Sequence, residues 1–161
     1  MKSTKPRKSL LSLLLVLMAL AVTVSGFATV AAAKSTDVDK KVFTAVDAFV
    51  SGLPDNGYGY IDTATLSDQL SNANPPFVVD VRTPADWANG HIPTAVNIPI
   101  LTLVDNLDKL PAKDQPIVVY CGIGHNGAIA MMSLSLLGYT NVKSLGGGFL
   151  FWTNAGLTVV K

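Results

Sequence analysis

Apolar and polar positions change period several times along the chain, and each change marks a segment. Leu10 to Val24 is an almost unbroken apolar stretch, preceded by Lys2, Lys5, Arg7 and Lys8. Small residues follow and end at Ala31-Ala32-Ala33 before Lys34. This basic, apolar, small-residue order predicts a signal peptide over 1–33 with an A-x-A cleavage site after Ala33. Positions 10 to 33 carry no charge. At about 1.5 Å per residue they could also cross a bilayer as an uncleaved anchor. Either outcome places the remaining chain outside the cytoplasm, in a periplasmic or other extracytoplasmic space.

Val42, Phe43, Val46, Phe49 and Val50 recur at helical spacing, which predicts a helix over 38–51 within an N-terminal extension of residues 34–59. That helix stops near Gly52–Pro54, and Asp55 to Gly59 reads as a turn-rich linker. Tyr60–Ile61 follows as a short extended piece, and Thr63 is placed to cap a helix carrying Leu66 and Leu70. Phe77 to Val81 has the composition of a buried strand. Thr83 and Pro84 then open a helix, as cap and first helical residue. A short strand at Ala95–Ile98 leads to helical spacing over Leu101–Leu110. Pro116 to Tyr120 is the clearest core strand, Gly127 to Leu137 an apolar helix ended by Gly138. Val142–Leu145 is the next strand, and a short helix surrounds Trp152. Near-continuous apolar strands separated by helices predict an α/β domain over 60–161, with a central parallel sheet flanked by helices on both faces. The 127–137 helix, with Met131, Met132, Leu134, Leu136 and Leu137, is apolar nearly all round and is therefore predicted to be buried.

Composition alters this picture in two places. The 161-residue chain has twelve Lys+Arg and eleven Asp+Glu, but four of the basic residues precede position 10 and no acid precedes Lys34. The chain beyond residue 33 is therefore net negative, which speaks against a basic nucleic-acid binder. Its length suits one domain with a real core. Cys121 is the only cysteine, so no internal disulfide can form. A lone thiol in an exported chain pairs with another molecule, reacts, or is simply buried.

Ligands collect at the carboxyl ends of strands in open parallel sheets. Two such ends carry unusual residues: Asp80-Val81-Arg82, and Cys121-Gly122-Ile123-Gly124-His125-Asn126-Gly127. In the second, glycines allow backbone amides to turn toward one point at the mouth of a helix. Such a place favours an anion and makes a thiol a better nucleophile. Gly122, Gly124 and Gly127 also spell G-x-G-x-x-G, the dinucleotide-binding pattern. The acid expected about 20 residues on is missing, however, since none follows Asp114.

These residues resemble the rhodanese-like domain family. Asp80-Val81-Arg82, Asp86-Trp87, Gly90-His91-Ile92-Pro93 and Ala95 are similar to its first signature. Tyr120-Cys121 with Gly124 resembles its active-site loop, C-x-x-G-x-R, and Leu145, Gly147-Gly148-Phe149 and Trp152 its third signature. The resemblance runs from about Tyr60 to Trp152 and implies a sulfurtransferase. Cys121 would take the outer sulfur of thiosulfate or a persulfide as a cysteine persulfide and pass it to a thiol or cyanide. The amides of 122–127 would hold the anion. Asp80, Arg82, Asp86 and His91 would be supporting residues, Arg82 pairing with Asp86, and His91 packing within its turn. No cofactor or metal is implied; His91, Cys121 and His125 do not form spaced ligand pairs.

Asn126 stands where the family loop often has Arg, and Gly127 where Ser or Thr is usual. An Arg would clamp an anionic donor with a planar fork, whereas Asn offers a neutral amide. His125 adds positive charge only when protonated. Thiosulfate is therefore expected to be a poor donor, and a neutral or protein-bound persulfide a better one. Two other classes stay open: a non-catalytic or sulfur-carrier module binding an exported protein, and a phosphatase or arsenate reductase-like enzyme. The last would need an Arg at the sixth position after Cys121, where Gly127 stands. Membrane contact is expected only through an uncleaved leader.

Overall fold

A computed structural model describes residues 36–54 and 58–161. The predicted leader and its cleavage site lie outside the described residues, as does the middle of the linker. Contacts divide the chain into two units, Met1–Ala45 and Val46–Lys161. A helix, α1, covers 36–51. Its portion in the first unit is solvent-exposed and carries a Lys41–Asp37 ion pair at 3.0 Å. No helix among the described residues is long and apolar enough to cross a membrane.

The second unit is built on five strands: β1 (Tyr60–Ile61), β2 (Phe77–Asp80), β3 (Val96–Asn97), β4 (Ile117–Tyr120) and β5 (Val142–Leu145). They form one sheet in the order β1-β5-β4-β2-β3, and every pairing is parallel. Helices α2 (Thr63–Leu70), α3 (Pro84–Asn89), α4 (His125–Leu136) and α5 (Gly148–Asn154) alternate with the strands. Side chains of β4 alternate between two cores, as period two requires. Ile117, Val119 and Cys121 pack with Ala130, Met131 and Leu134 of α4. Val118 and Tyr120 pack with Leu66 of α2 and Trp152 of α5. Both faces of the central strand are thus covered, which is why it reads as a continuous apolar run.

Several local expectations are corrected. Asp62, not Thr63, caps α2: its carboxylate accepts the Thr65 amide at 2.8 Å and the Thr65 hydroxyl at 2.7 Å. The bonds to Thr65 hold the Asp62 carboxyl below its ordinary pKa. The helix expected over 101–110 is instead two 3₁₀ turns, Ile100–Thr102 and Val104–Lys109. Asn106 supplies the reason. Its side-chain Nδ2 donates to Thr102 O at 2.7 Å, taking the carbonyl that a continuing α-helix would offer to its own backbone amide. Helix α4 begins at His125 rather than Gly127, and it is less buried than expected, since Ile129, Leu136 and Leu137 are exposed.

Chains leaving β2 and β4 run to opposite edges of the sheet, β2 toward β3 and β4 toward β5. A crevice opens at the carboxyl end between two such neighbours. In register, Asp80 lies beside Tyr120, so Val81 and Cys121 leave the sheet side by side, with Arg82 one residue further on.

Candidate active site

Cys121 is the first residue past β4, and its loop is short because α4 starts only four positions later. Gly124 ends the loop with φ +107, a conformation that side-chain-bearing residues rarely adopt. Its amide thereby turns back and donates to Cys121 Sγ at 3.1 Å. Among the described residues it is the one amide that reaches the sulfur, where a convergent group over 122–127 was expected. The loop is tied down from its other side. The amides of Phe149 and Leu150, in the first turn of α5, donate to Cys121 O at 2.8 Å and Gly122 O at 2.9 Å. This docking requires Gly148, with φ +57: a Cβ there would lie 2.3 Å from Cys121 O.

Cys121 is 5% exposed and belongs to the core beneath α4, yet it also lines a cavity of about 910 Å³. Cys121 therefore packs in the apolar core and also contributes to the wall of an opening. His125, Asn126, Gly122 and Ile123 line the same cavity, as do Arg82 and Asp86. Gly127 does not: it faces β5, where a Cβ would come 2.7 Å from Ser144 Oγ. Sequence reasoning missed the opposite wall, Pro84, Pro99, Ile100 and Leu101. The spacing over 101–110 predicts a helix and carries no sign that Leu101 would line a cavity.

The supporting residues form one assembly, wired differently from the sequence expectation. Arg82 does not pair with Asp86. Its Nε and Nη2 bind the carboxylate of Asp80, which also accepts the Arg82 backbone amide at 2.9 Å. Nη2 also donates to Gly90 O at 2.7 Å, just past α3. The guanidinium lies 4.0 Å over the Phe149 ring and 5.5 Å from that of Tyr120. Burial opposes the Arg82 charge, but hydrogen bonding and attraction to Asp80 outweigh it and raise its pKa. Burial, reinforced by the Asp80 carboxylate, pushes the Tyr120 phenol up strongly. That phenol accepts the Ile92 amide at 3.1 Å. Asp86 is instead bound to the N-cap of α3: Thr83 Oγ1 accepts its amide at 3.1 Å and donates to its carboxylate at 2.6 Å. An Asp at this position is satisfied by its own helix cap, leaving Arg82 free for the nearer, buried acid.

His91 is buried and lies away from the cavity. Its ring stacks on Trp87 at 4.0 Å, its Nδ1 donates to Trp87 O at 3.1 Å, and its backbone pairs with Val160.

Residues 62–155 match the rhodanese-like domain family, and the chain belongs to it. It is 36% identical over 100 residues to a sulfurtransferase of Allochromatium vinosum, covering 62% of this chain and 92% of that protein. It is 34% identical over 70 residues to thiosulfate sulfurtransferase PspE of Escherichia coli, covering 43% and 67% of the two chains. The chain spans 24% and 62% of two other curated relatives. A crystal structure of a rhodanese-related protein from Thermoplasma volcanium superposes with a TM-score of 0.58 at 33% identity. It covers 64% of this chain and 98% of that one.

Proposed function

We propose that this chain is a sulfurtransferase that carries sulfur as a persulfide on Cys121. The single observation behind the proposal is the placement of that residue: lining the cavity, with the Gly124 amide on Sγ and α4 beginning four residues later. The Cys121 sulfur attacks the outer sulfur of a donor, and the donor's S–S bond breaks as a new one forms to Sγ. The outgoing fragment keeps the electron pair. A thiol or cyanide then attacks the outer sulfur of the persulfide and returns Cys121 to its starting state. Gly124 N–H and the first turn of α4 stabilise the charge on sulfur in both half-reactions. Asp80 and Arg82 act as scaffold: they hold β2, α3, β4 and α5 around the loop.

Thiosulfate, the donor in the name of the Escherichia coli relative, serves here but poorly, because Asn126 supplies no charge. The predicted leader puts the reaction outside the cytoplasm, where an exported protein is a candidate acceptor. Steady-state kinetics test the proposal. Varying donor at several acceptor concentrations should give the parallel double-reciprocal lines of a ping-pong reaction, and Cys121→Ser should abolish turnover. Intersecting lines, or turnover that survives the substitution, would refute it. A sulfur-carrier role without small-molecule turnover is the second reading, favoured by the neutral amide at Asn126; it predicts loading without turnover.

A further inference from the structure

We propose that the donor taken by this site is an organic sulfane-sulfur compound with an apolar body and at most one negative charge. This rests on the sulfurtransferase reading of Cys121 and extends it to the other part of the cavity. Cys121 lines a space of about 910 Å³, within the range of roughly 300–1,000 Å³ that accommodates drug-sized ligands. A small inorganic anion would leave most of it to water.

The lining decides what fills the rest. Pro84, Pro99, Ile100 and Leu101 face the cavity from one side and Ile123 from the other. Leu101 is 92% exposed and Ile123 57% exposed, so two large aliphatic side chains stand open to water at the mouth of a reactive site. Such an arrangement marks a ligand-binding surface. Charge points the same way. Arg82 is the one permanent cation among the lining residues; its side chain is only 10% exposed, its charge is paired with Asp80, and its Nη2 also donates to Gly90 O. The Asp86 carboxylate is also in the lining, Asn126 is neutral, and His125 is the remaining ionisable group beside Cys121. A dianion entering here would shed water beside a carboxylate and aliphatic walls without a free cation to replace that water. A singly charged donor sheds less, and its body gains by burial.

For an organic thiosulfonate, R–SO2–S⁻, the loading step is balanced without an external oxidant. The Cys121 sulfur bonds to the outer sulfur, the bond from that sulfur to the sulfonyl group breaks, and its electron pair leaves on R–SO2⁻. The Cys121 sulfur is formally oxidised and the sulfonyl sulfur reduced, while the thiol proton goes to solvent.

The test is to load the full chain with thiosulfate, methanethiosulfonate and benzenethiosulfonate, following the persulfide by intact mass. Benzenethiosulfonate should load fastest and thiosulfate slowest, with about a tenfold or larger spread, the scale that burying an aromatic ring provides. Leu101→Ser and Ile123→Ser, both at exposed positions, should narrow the ratio between the benzene and methane compounds. Thiosulfate loading as fast as benzenethiosulfonate, or ratios unchanged in both variants, would overturn the donor inference while leaving the sulfurtransferase reading intact. Failure of all three donors to load Cys121 would overturn that reading as well.

Discussion

Replacing Arg82 with alanine removes the hub of the supporting assembly, and its cost can be worked out from the contacts. Asp80 is 0% exposed and accepts four hydrogen bonds from Arg82, of which three come from the side chain. Without that side chain a fully buried carboxylate loses three of these four bonds and its countercharge. Removing one partner of a buried pair costs about 3–5 kcal/mol, mainly because the other charge is left uncompensated. The tie to Gly90 O and the cover over Phe149 disappear together with it. A domain of this size is stable by about 5–15 kcal/mol, so the loss is about a fifth of the total or more. With a urea slope of about 2 kcal/mol/M, the unfolding midpoint should fall by roughly 2 M. Arg82→Lys should lie between, since a single ammonium cannot reproduce the fork. The paired change Asp80→Leu with Arg82→Met removes both charges and should recover much of the loss. Urea unfolding followed by tryptophan fluorescence measures all four proteins. An Arg82→Ala midpoint within about 0.5 M of the parent, or a double variant no better than the single one, would refute the reasoning.

Three further outcomes follow from the same structure. Gly148→Ala should slow alkylation or sulfur loading of Cys121 and lower Tm, because its Cβ meets Cys121 O. Gly122→Ala, whose Cβ would meet nothing within 4 Å, should do neither. Asn126→Arg should raise kcat/KM for thiosulfate by adding a planar donor fork beside the sulfur, and an unchanged or lower value would count against the charge argument. Asp62→Ala should lower Tm near neutral pH. The Asp62 pKa is depressed in the folded chain, so its contribution is present above the ordinary Asp range and fades as pH falls through the lowered value. The difference between the two proteins should therefore shrink in acid.

Period and punctuation made the sheet legible, because strands buried on both faces leave unbroken apolar runs, as at Ile117 to Tyr120. Thr83-Pro84 and Gly138 marked helix ends by local chemistry that the fold retains. What the sequence hid were choices between nearby partners. Asp80 and Asp86 both lie within reach of Arg82 by residue count, and the fold, which holds the Asp86 carboxylate on Thr83 Oγ1, leaves Arg82 to Asp80. Nor does spacing distinguish Leu101 in a core-facing helix from Leu101 at a cavity mouth, since both readings need an apolar residue there. That difference came from one Asn106 side chain breaking the helix. The thiol was legible as a strand-end residue in a glycine loop, but the count of amides reaching it was not, because it depends on the single left-handed turn at Gly124.

The most direct measurement is the intact mass of the full chain after incubation with a sulfane-sulfur donor and then with an excess of thiol. The account predicts a gain of about 32 Da, the mass of one persulfide sulfur, that is absent in Cys121→Ser and is discharged by the thiol. A chain that gains no mass with any donor, or gains it equally without Cys121, would contradict the account.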